Sequence, residues 1–386
     1  MGIKQLFSLL EARAPGCYRV VSLKIYTSQT LAFDASKVLY QFTIATTNAR
    51  ESGVFELTDA EGKPTGHLMG FAYKSLQLLE SGVKPVWVFD GIPPEMKKRE
   101  LRRRRALKEA AKEAETEAKE VGTAEDQLKY HTRAAKVTPE MAEDAKTLLR
   151  LMGFPVVTAP AEAEAQCVQL LKEKKVKGVV SDDMDCLTFG AETLIKGAGK
   201  KDAEIVELTL SDALKGLQLT MDEFIDMCIL CGCDYCDTIG GVGPVNAYKL
   251  ITEHKTLEKV LEALKEENEA RVAEGKEPKY TIPAKEDFDY VLARELFKAP
   301  EVTKDIQDLS FGKPDEAGLK EFLIEKKNFG AQKVDGILKR LAEAQKAKPQ
   351  MSLETFIGKP VKINPVSSKK KAEPKKSTLA KKVKKF

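Results

Sequence analysis

Four short apolar runs in this chain each lead into acidic residues, and this repeated pattern most constrains the fold. Apolar runs of this length, separated by amphipathic segments, predict buried strands that alternate with helices. Such alternation is typical of an α/β domain with a mostly parallel, twisted central sheet and helices on both faces. The acids that follow the runs are Asp34, Asp90, the pair Glu162 and Glu164, and the pair Asp183 and Asp185.

These acids are predicted to meet at one edge of the sheet. In a parallel sheet the carboxyl ends of the strands line a common crevice, where ligands bind. Asp183 and Asp185 are two residues apart, so on extended backbone both carboxylates would face one side. Glu162 and Glu164 precede a helical pattern and are expected at its start. Asp234 would join them from the end of the helical segment MDEFIDMCILCGCDY.

So many carboxylates cannot share a pocket without counter-charge. Two hard divalent cations, Mg²⁺ or Mn²⁺, would resolve the repulsion with oxygen ligands. None of the three histidines follows a predicted strand, so imidazole ligands are not expected. Two such ions about 4 Å apart are a common device for in-line attack on a phosphodiester. The alternative for the Asp182–Asp185 stretch alone is an ordinary acid-rich turn, but acids at four strand ends favour a metal site.

Residues 95–136 differ in kind from the rest, because they contain almost no large apolar side chains. Between Lys97 and Lys108 there are eight basic residues and one Glu. This segment predicts a projecting helix, and Lys97 and Arg104 are seven residues apart and so share one helix face. That face could neutralise charge on a phosphate. The alternative is a solvated surface helix.

Charge and composition limit the remaining possibilities. The net charge is +4, but nine Lys and one Glu in the last 18 residues leave about −4 for residues 1–368. A nucleic-acid partner must therefore be argued from local patches. The chain is 42% hydrophobic and has no run long enough to span a bilayer. Seven cysteines without a secretory signal predict a reducing compartment, and the Lys-rich end predicts disorder.

Several motifs together resemble one known family. MGI, FDAS, YQF, VFDG, APAEAEAQC, DDMDCLTFG and CDYC with IGGVGP occur in the order and spacing of the flap endonucleases, the XPG-type structure-specific 5′ nucleases, over residues 1–345. The resemblance implies the PIN-like 5′ nuclease fold with a helical arch and a helix–two-turn–helix element. It implies a Mg²⁺-dependent 5′ flap endonuclease and 5′–3′ exonuclease that acts in Okazaki fragment maturation and long-patch base excision repair. The expected compartment is the nucleus, with the nucleolus and the mitochondrion as further candidates.

The resemblance also assigns roles to individual residues. Asp34, Asp90, Glu162 and Glu164 resemble the ligands of one metal, and Asp183, Asp185 and Asp234 those of the other. Lys97 and Arg104 resemble catalytic arch residues, and Thr238, Ile239 and Val242 the carbonyl ligands of a K⁺ ion. Residues expected near DNA are Gly2, Tyr40, Lys74, Glu162, Gly232, Asp234, Gly241 and Gly243. Without the resemblance, Tyr40 could equally pack in the core, and the glycine turn could be a tight connection.

A further match lies beyond the nuclease body. QMSLETFI resembles the box that binds a trimeric sliding clamp, with Gln350, Leu353, Phe356 and Ile357 at its key positions. The expected divisions are an N-terminal nuclease region 1–108, the arch 97–136, an internal nuclease region 126–254, a helical part 255–345, the clamp segment 346–360 and a tail 361–386. The chain alone is expected to be a monomer without a membrane partner.

Some positions depart from the family pattern. Thr47, Lys74, Val245 and Asn246 stand where basic or bidentate groups are usual, which predicts weak binding to duplex DNA with intact chemistry. Cysteines 228, 231, 233 and 236 could bind zinc, although neighbouring cysteines in a helix are more often small buried hydrophobes. The alternative function is a clamp-associated junction-binding protein that has lost cleavage. Cleavage of a 5′ flap that depends on Mg²⁺ separates the two hypotheses.

Overall fold

A computed structural model describes most of the chain up to residue 346. The described residues are 2–51, 57–98, 100–103, 106, 137–198 and 204–346. Arg104, most of the predicted arch, the predicted clamp-binding residues 350–357 and the tail lie outside these ranges. The expectations for those residues therefore stay predictions.

A seven-stranded sheet forms the centre of the described chain. Its spatial order is β1-β7-β6-β5-β2-β3-β4. The strands from β6 to β4 in this order pair in parallel, whereas β7 pairs antiparallel with both of its neighbours. The bounds are Tyr18–Ser22 (β1), Thr30–Asp34 (β2), Lys84–Phe89 (β3), Val156–Thr158 (β4), Val179–Val180 (β5), Thr193–Lys196 (β6) and Glu204–Thr209 (β7). The predicted α/β class with a mostly parallel sheet is confirmed.

Helices follow most of the strands, and residues 95–98 and 100–103 are helical as well. The α-helices are Leu6–Arg13 (α1), Ala35–Glu51 (α2), Gly66–Glu80 (α3), Pro139–Leu151 (α4), Ala163–Lys172 (α5), Asp185–Thr188 (α6), Leu210–Leu217 (α7), Met221–Cys231 (α8), Pro244–His254 (α9), Leu257–Ala273 (α10), Tyr290–Lys298 (α11), Glu316–Lys320 (α12) and Ala331–Lys346 (α13). A π-helical turn spans Glu321–Lys326. None of the described helices combines the length and apolar character that a bilayer crossing requires.

The sheet is covered on both faces because its strand residues alternate between two apolar cores. Phe33 and Trp87 point to the core formed with α2, α3, α4 and α13, and their ring centroids lie 5.1 Å apart. Ala32 and Val88 are the sequence neighbours of Phe33 and Trp87, and they belong to the core formed with α1, α5, α7 and α8. This period of two buries the central strands β5, β2 and β3 on both sides, whereas the edge strand β4 is only partly buried. Only the ends of these strands are left open to a ligand.

Two strands were not predicted from the sequence. The sequence of residues 1–30 shows only the pattern of a short amphipathic helix and a connection, but Tyr18–Ser22 forms the edge strand β1. Four of its five residues are not buried, so its sequence lacks an apolar run. Contacts distant in sequence fix it instead: Glu207 pairs with Arg19 at 2.7 Å and accepts a hydrogen bond from Tyr26 at 2.5 Å. The four-residue strand β6 was missed because it is too short to show a period.

His67 is a titratable group inside the core formed with α2, α3, α4 and α13. It lies on α3 and is 1% exposed. Burial, followed by the charge of Lys327, lowers the pKa of His67 to about 4. Lys327 is itself buried and pairs with Asp144 at 2.5 Å. His67 is therefore neutral in the folded chain at pH values where an unfolded chain binds a proton.

This difference predicts an acid-dependent loss of stability. Because the folded pKa lies below the ordinary value near 6.5, the contribution of His67 is lost as pH falls from 6.5 towards 4. By pH 4.5 the loss is roughly 2–3 kcal/mol. His67→Leu should lack this component, so urea unfolding at pH 7.5 and 4.5 should show a smaller acid loss in the variant. An equal acid loss in both proteins would contradict the assignment.

Candidate active site

The predicted acids meet at the carboxyl edge of the sheet. Strands β5, β2, β3 and β4 are consecutive neighbours in the sheet, so the acids that follow these strands lie side by side. Asp34 ends β2, and Asp90 directly follows β3. Glu162 is the N-cap residue of α5, and Glu164 lies in the first turn of that helix, as predicted. Asp183 and Asp185 follow β5, and Asp234 follows α8.

Asp183 and Asp185 meet in a different way from the one predicted. The prediction assumed extended backbone, but Asp185 begins the short helix α6. The turn before α6 brings the pair together, since the backbone N–H of Asp185 donates to Oδ1 of Asp183 at 3.3 Å. Asp183 is 5% exposed and Asp185 is 6% exposed. Asp182, which precedes this pair, is exposed. It accepts hydrogen bonds from the side chain of Gln41 at 3.0 Å and from the N–H of Gly197 at 3.3 Å.

Backbone and hydroxyl donors hold several of these acids in place. The N–H of Ala163 donates to Oδ1 of Asp90 at 2.8 Å, so Asp90 accepts from the first turn of α5. The N–H of Lys37 donates to Oδ1 of Asp34 at 2.9 Å, and the Ser181 hydroxyl donates to its Oδ2 at 3.3 Å. These bonds orient the carboxylates from rigid elements of the fold.

Burial and mutual repulsion disfavour the charged form of three of these acids. Burial, followed by the charge of Asp90, raises the pKa of Asp34 to about 7. Burial and the charge of Asp34 raise the pKa of Glu164, and burial and the charge of Asp183 raise that of Asp185. Oδ1 of Asp185 is buried and has no hydrogen-bond partner. A cation with oxygen ligands would relieve both the repulsion and this unpaired acceptor, so the donor set fits a hard divalent metal.

Two lysines supply positive charge inside the site. Lys97 contacts Oε1 of Glu162 and lies 3.8 Å from Oδ2 of Asp234. Burial opposes the charge of Lys97, but Glu164, Glu162 and Asp234 raise its pKa overall. Lys37 lies 3.1 Å from Oδ2 of Asp183. Across the described ranges, no three acidic, thiol or imidazole side chains already surround a single point closely enough to hold an ion.

Sequence reasoning missed two contributors to this site. Lys37 lies three residues after Asp34, about one helical turn. This spacing from a candidate ligand is the sequence feature that could have indicated its place in the site. Tyr235 directly follows Asp234, and its buried hydroxyl donates to Oε2 of Glu162. The ring of Tyr235 packs on Phe297 at 4.8 Å, a contact between distant segments. The sequence contains no signal for that contact.

The N-terminal segment approaches the acids closely. Gly2 has φ +75°, and a Cβ there would lie 1.7 Å from Oδ1 of Asp183, so this position requires glycine. The N–H of Lys4 donates to the carbonyl of Gly232 at 3.2 Å. A cavity of about 710 Å³ lies between this segment and Asp234. Its lining residues include Lys4, Arg103 and Lys196.

The glycine turn after Asp234 joins α8 to α9. The N–H of Val242 donates to the carbonyl of Ile239 at 3.2 Å, and the side chains of both residues are buried. Gly241 has φ +86°, and Gly243 caps α9 with open space where a Cβ would be. Thr238 is half-buried at the start of this turn. The backbone of the turn is therefore the part that can approach a ligand.

The other predicted residues lie in different surroundings. Tyr40 is half-buried on α2, two turns after Asp34. Lys74 on α3 donates to the carbonyl of Ala198 at 2.6 Å, and burial lowers its pKa. Cys228 and Cys231 lie in the apolar core, whereas Cys233 and Cys236 are half-buried with their sulfurs 3.8 Å apart.

Comparison with known proteins identifies the family. The XPG N-terminal domain matches residues 1–111, and the XPG I-region matches residues 153–234. Flap endonuclease 1-2 of Paramecium tetraurelia is 46% identical over 98% of this chain and 97% of its own length. Flap endonuclease 1 of Tetrahymena thermophila is 45% identical over 97% of each chain.

Solved structures show the same likeness in three dimensions. The catalytic core of Rad2 in complex with DNA substrate has a TM-score of 0.66 at 26% identity, and the match covers 88% of this chain and 100% of that one. Flap endonuclease-1 from Methanococcus jannaschii has a TM-score of 0.62 at 28% identity, with 85% and 96% covered. The sequence identities and the matching fold lead to one conclusion: this chain belongs to the flap endonuclease family of structure-specific 5′ nucleases.

Proposed function

We propose that this chain hydrolyses DNA phosphodiesters at 5′ flaps with the help of two Mg²⁺ ions, and that it also has 5′–3′ exonuclease activity. The observation that carries the proposal is the meeting of seven acids from four strand ends and the end of α8, with the half-buried Lys97 beside Glu162 and Asp234. Replication, through Okazaki fragment maturation, and long-patch base excision repair are the processes that need this reaction.

The acids divide into two groups of candidate ligands, with Mn²⁺ as a substitute for Mg²⁺. Asp34, Asp90, Glu162 and Glu164 would hold one ion, and Asp183, Asp185 and Asp234 the other. The bound ions would supply an activated water and stabilise negative charge on the phosphate in the transition state. Oδ1 of Asp185 supports this assignment, since it is buried without a hydrogen-bond partner. The exposed Asp182 has no role in the proposal.

Lys97 is the candidate group for binding the scissile phosphate. Its side chain is only 16% exposed and reaches Glu162 and Asp234. A phosphate that enters the site would accept a charge-assisted hydrogen bond from the Lys97 ammonium. Arg104, on the same predicted helix face, is proposed to assist. Tyr40 is proposed to stack on a base next to the cleaved bond.

The path of the DNA is proposed to run past the N-terminal segment to the glycine turn. Lys4, Arg103 and Lys196 line the cavity beside Asp234 and are the groups there that would contact phosphates, although Glu100, Asp182, Asp234 and Asp237 also line it. Gly2 and Gly232 allow close approach of backbone, and Lys74 adds charge at the same edge. Gly241 and Gly243 would offer backbone N–H groups to duplex phosphates. Thr238, Ile239 and Val242 would bind K⁺ through their carbonyls.

Two further parts of the proposal concern partners and place. Gln350, Leu353, Phe356 and Ile357 would attach a monomer to the trimeric sliding clamp PCNA. The Lys-rich tail after residue 369 would add nonspecific attraction to DNA. The nucleus, including the nucleolus, is the proposed compartment, with the mitochondrion as a further one.

Asp183→Ala tests the metal assignment. The variant should lose cleavage of a double-flap substrate by at least about 100-fold, since a bound metal contributes several kcal/mol to the transition state. Binding of the flap should be retained. Product mapping with a Mg²⁺ titration measures the first effect, and fluorescence anisotropy measures the second. Asp182→Ala is the matched control and should cut like wild type; near-normal cutting by Asp183→Ala would refute the assignment.

Lys97→Met tests the phosphate contact. We expect kcat to fall by roughly 10²–10³-fold, the usual effect of removing a group that stabilises transition-state charge. KM for the flap should change little. Lys98→Met is the control, because Lys98 is its exposed neighbour and pairs with Glu95. Single-turnover rates measure both variants, and equal rates for the two would argue against a special role for Lys97.

Val245→Lys tests the predicted weakness of duplex binding. Val245 is 61% exposed at the start of α9, next to the glycine turn. An added phosphate contact should tighten duplex binding and steepen the plot of log K against log salt by about one unit. Val272→Lys, at a 56% exposed site on α10, should have no such effect. Anisotropy titrations at several salt concentrations decide, and an unchanged slope for Val245→Lys would show that this surface does not meet DNA.

A further inference from the structure

The chain has a second cation inside its acid cluster, and neither the motifs nor the proposed reaction assigns a role to it. Lys37 lies in the first turn of α2, and its ammonium is 3.1 Å from Oδ2 of Asp183. Its side chain is 14% exposed and that of Asp183 is 7% exposed. We propose that Lys37 is a positioning residue that fixes Asp183 and weakens the binding of the divalent ion that Asp183 would hold.

Both oxygens of Asp183 are already engaged. Lys37 holds Oδ2, and the N–H of Asp185 donates to Oδ1 at 3.3 Å. The N–H of Asp183 itself donates to the Ser181 hydroxyl at 3.1 Å. Gly2 closes the side of Oδ1, since any larger residue there would overlap Asp183. An ion that uses Asp183 must therefore share this carboxylate with the ammonium of Lys37.

The backbone of Lys37 is tied to the sheet more directly than that of Lys97. Lys97 belongs to the helical segment after residue 95, which follows no strand directly. Lys37 lies in the first turn of α2, which continues directly from β2, and its own N–H donates to Oδ1 of Asp34 at 2.9 Å. Its Cα is thus held beside the cluster, and only the flexible stem can redirect the charge. The site therefore retains a positive charge near both acids when an ion arrives.

The positive charge of Lys37, 3.1 Å from Oδ2 of Asp183, opposes the binding of a divalent ion to that carboxylate. Removing a unit charge about 4–5 Å from a doubly charged ion should strengthen binding about tenfold or more, even where water screens the interaction strongly. A site with Lys37 thus needs more Mg²⁺ for half-saturation than a site without it. The same contact keeps Asp183 aimed at the cluster before any ion is bound. This inference rests on the proposed metal-dependent function.

The test measures binding of Ca²⁺ alone by calorimetry, with the full chain and without DNA, so that its readout does not depend on cleavage. Wild type is compared with Lys37→Met, which removes the charge, and Lys37→Arg, which keeps it. Lys172→Met is the control, because Lys172 is an exposed lysine that likewise holds one acceptor, the carbonyl of Phe189 at 2.8 Å, and is not paired with any acid of the cluster. The Mg²⁺ concentration for half-maximal cleavage is measured for all four proteins.

We expect Lys37→Met to bind Ca²⁺ about tenfold or more tightly than wild type and to need correspondingly less Mg²⁺. Lys37→Arg and Lys172→Met should stay within about threefold of wild type. Unchanged or weaker binding by Lys37→Met, while wild type binds normally, overturns the inference and leaves Lys37 a structural residue. No binding of Ca²⁺ or Mg²⁺ by wild type overturns the metal assignment itself, and the inference with it.

Discussion

Repulsion between carboxylates at one edge of the sheet is the constraint on which the rest of this structure depends. Asp34, Asp183 and Asp185 are nearly fully buried within one cluster, and burial raises the pKa of two of them. Without positive charge such a cluster would oppose folding. The chain supplies part of this charge through Lys37 and Lys97. A bound cation would relieve the remaining imbalance.

The fold holds these acids with bonds that cross between elements. Asp90, after β3, accepts from the first turn of α5, while Ser181, after β5, donates to Asp34 at the end of β2. The N-terminal segment packs on Asp183 through Gly2. Asp34, Asp90 and Asp183 are therefore oriented by neighbours on other strands or helices, which is the rigid support that a catalytic site requires. A shift of any one element would alter the positions of several acids together.

Much of the fold and the site could be predicted from local patterns. Apolar runs ending on Asp34 and Asp90 indicated buried strands, and the parallel topology made their meeting at one edge a consequence. Glu162 and Glu164 were placed at a helix start because residues two apart on a helix diverge. Strand β1 could not be predicted, since its stability comes from pairing with β7 and from Glu207, nearly 190 residues away. The sequence did not indicate the turn that starts a helix at Asp185, because residues two apart on extended backbone would also place Asp183 and Asp185 on the same side.

The sequence by itself determined the α/β class and the common edge of six acids, because these follow from periodicity and from the rule that parallel strands end together; Asp234 comes from the end of a helix. Only the tertiary structure decided what neutralises those acids. Lys37 and Asp183 are 146 residues apart, and Tyr235 and Glu162 are 73 apart. No local pattern specifies which buried cation or hydroxyl reaches which carboxylate. That choice is made by the order of the strands and the packing of the helices beside them.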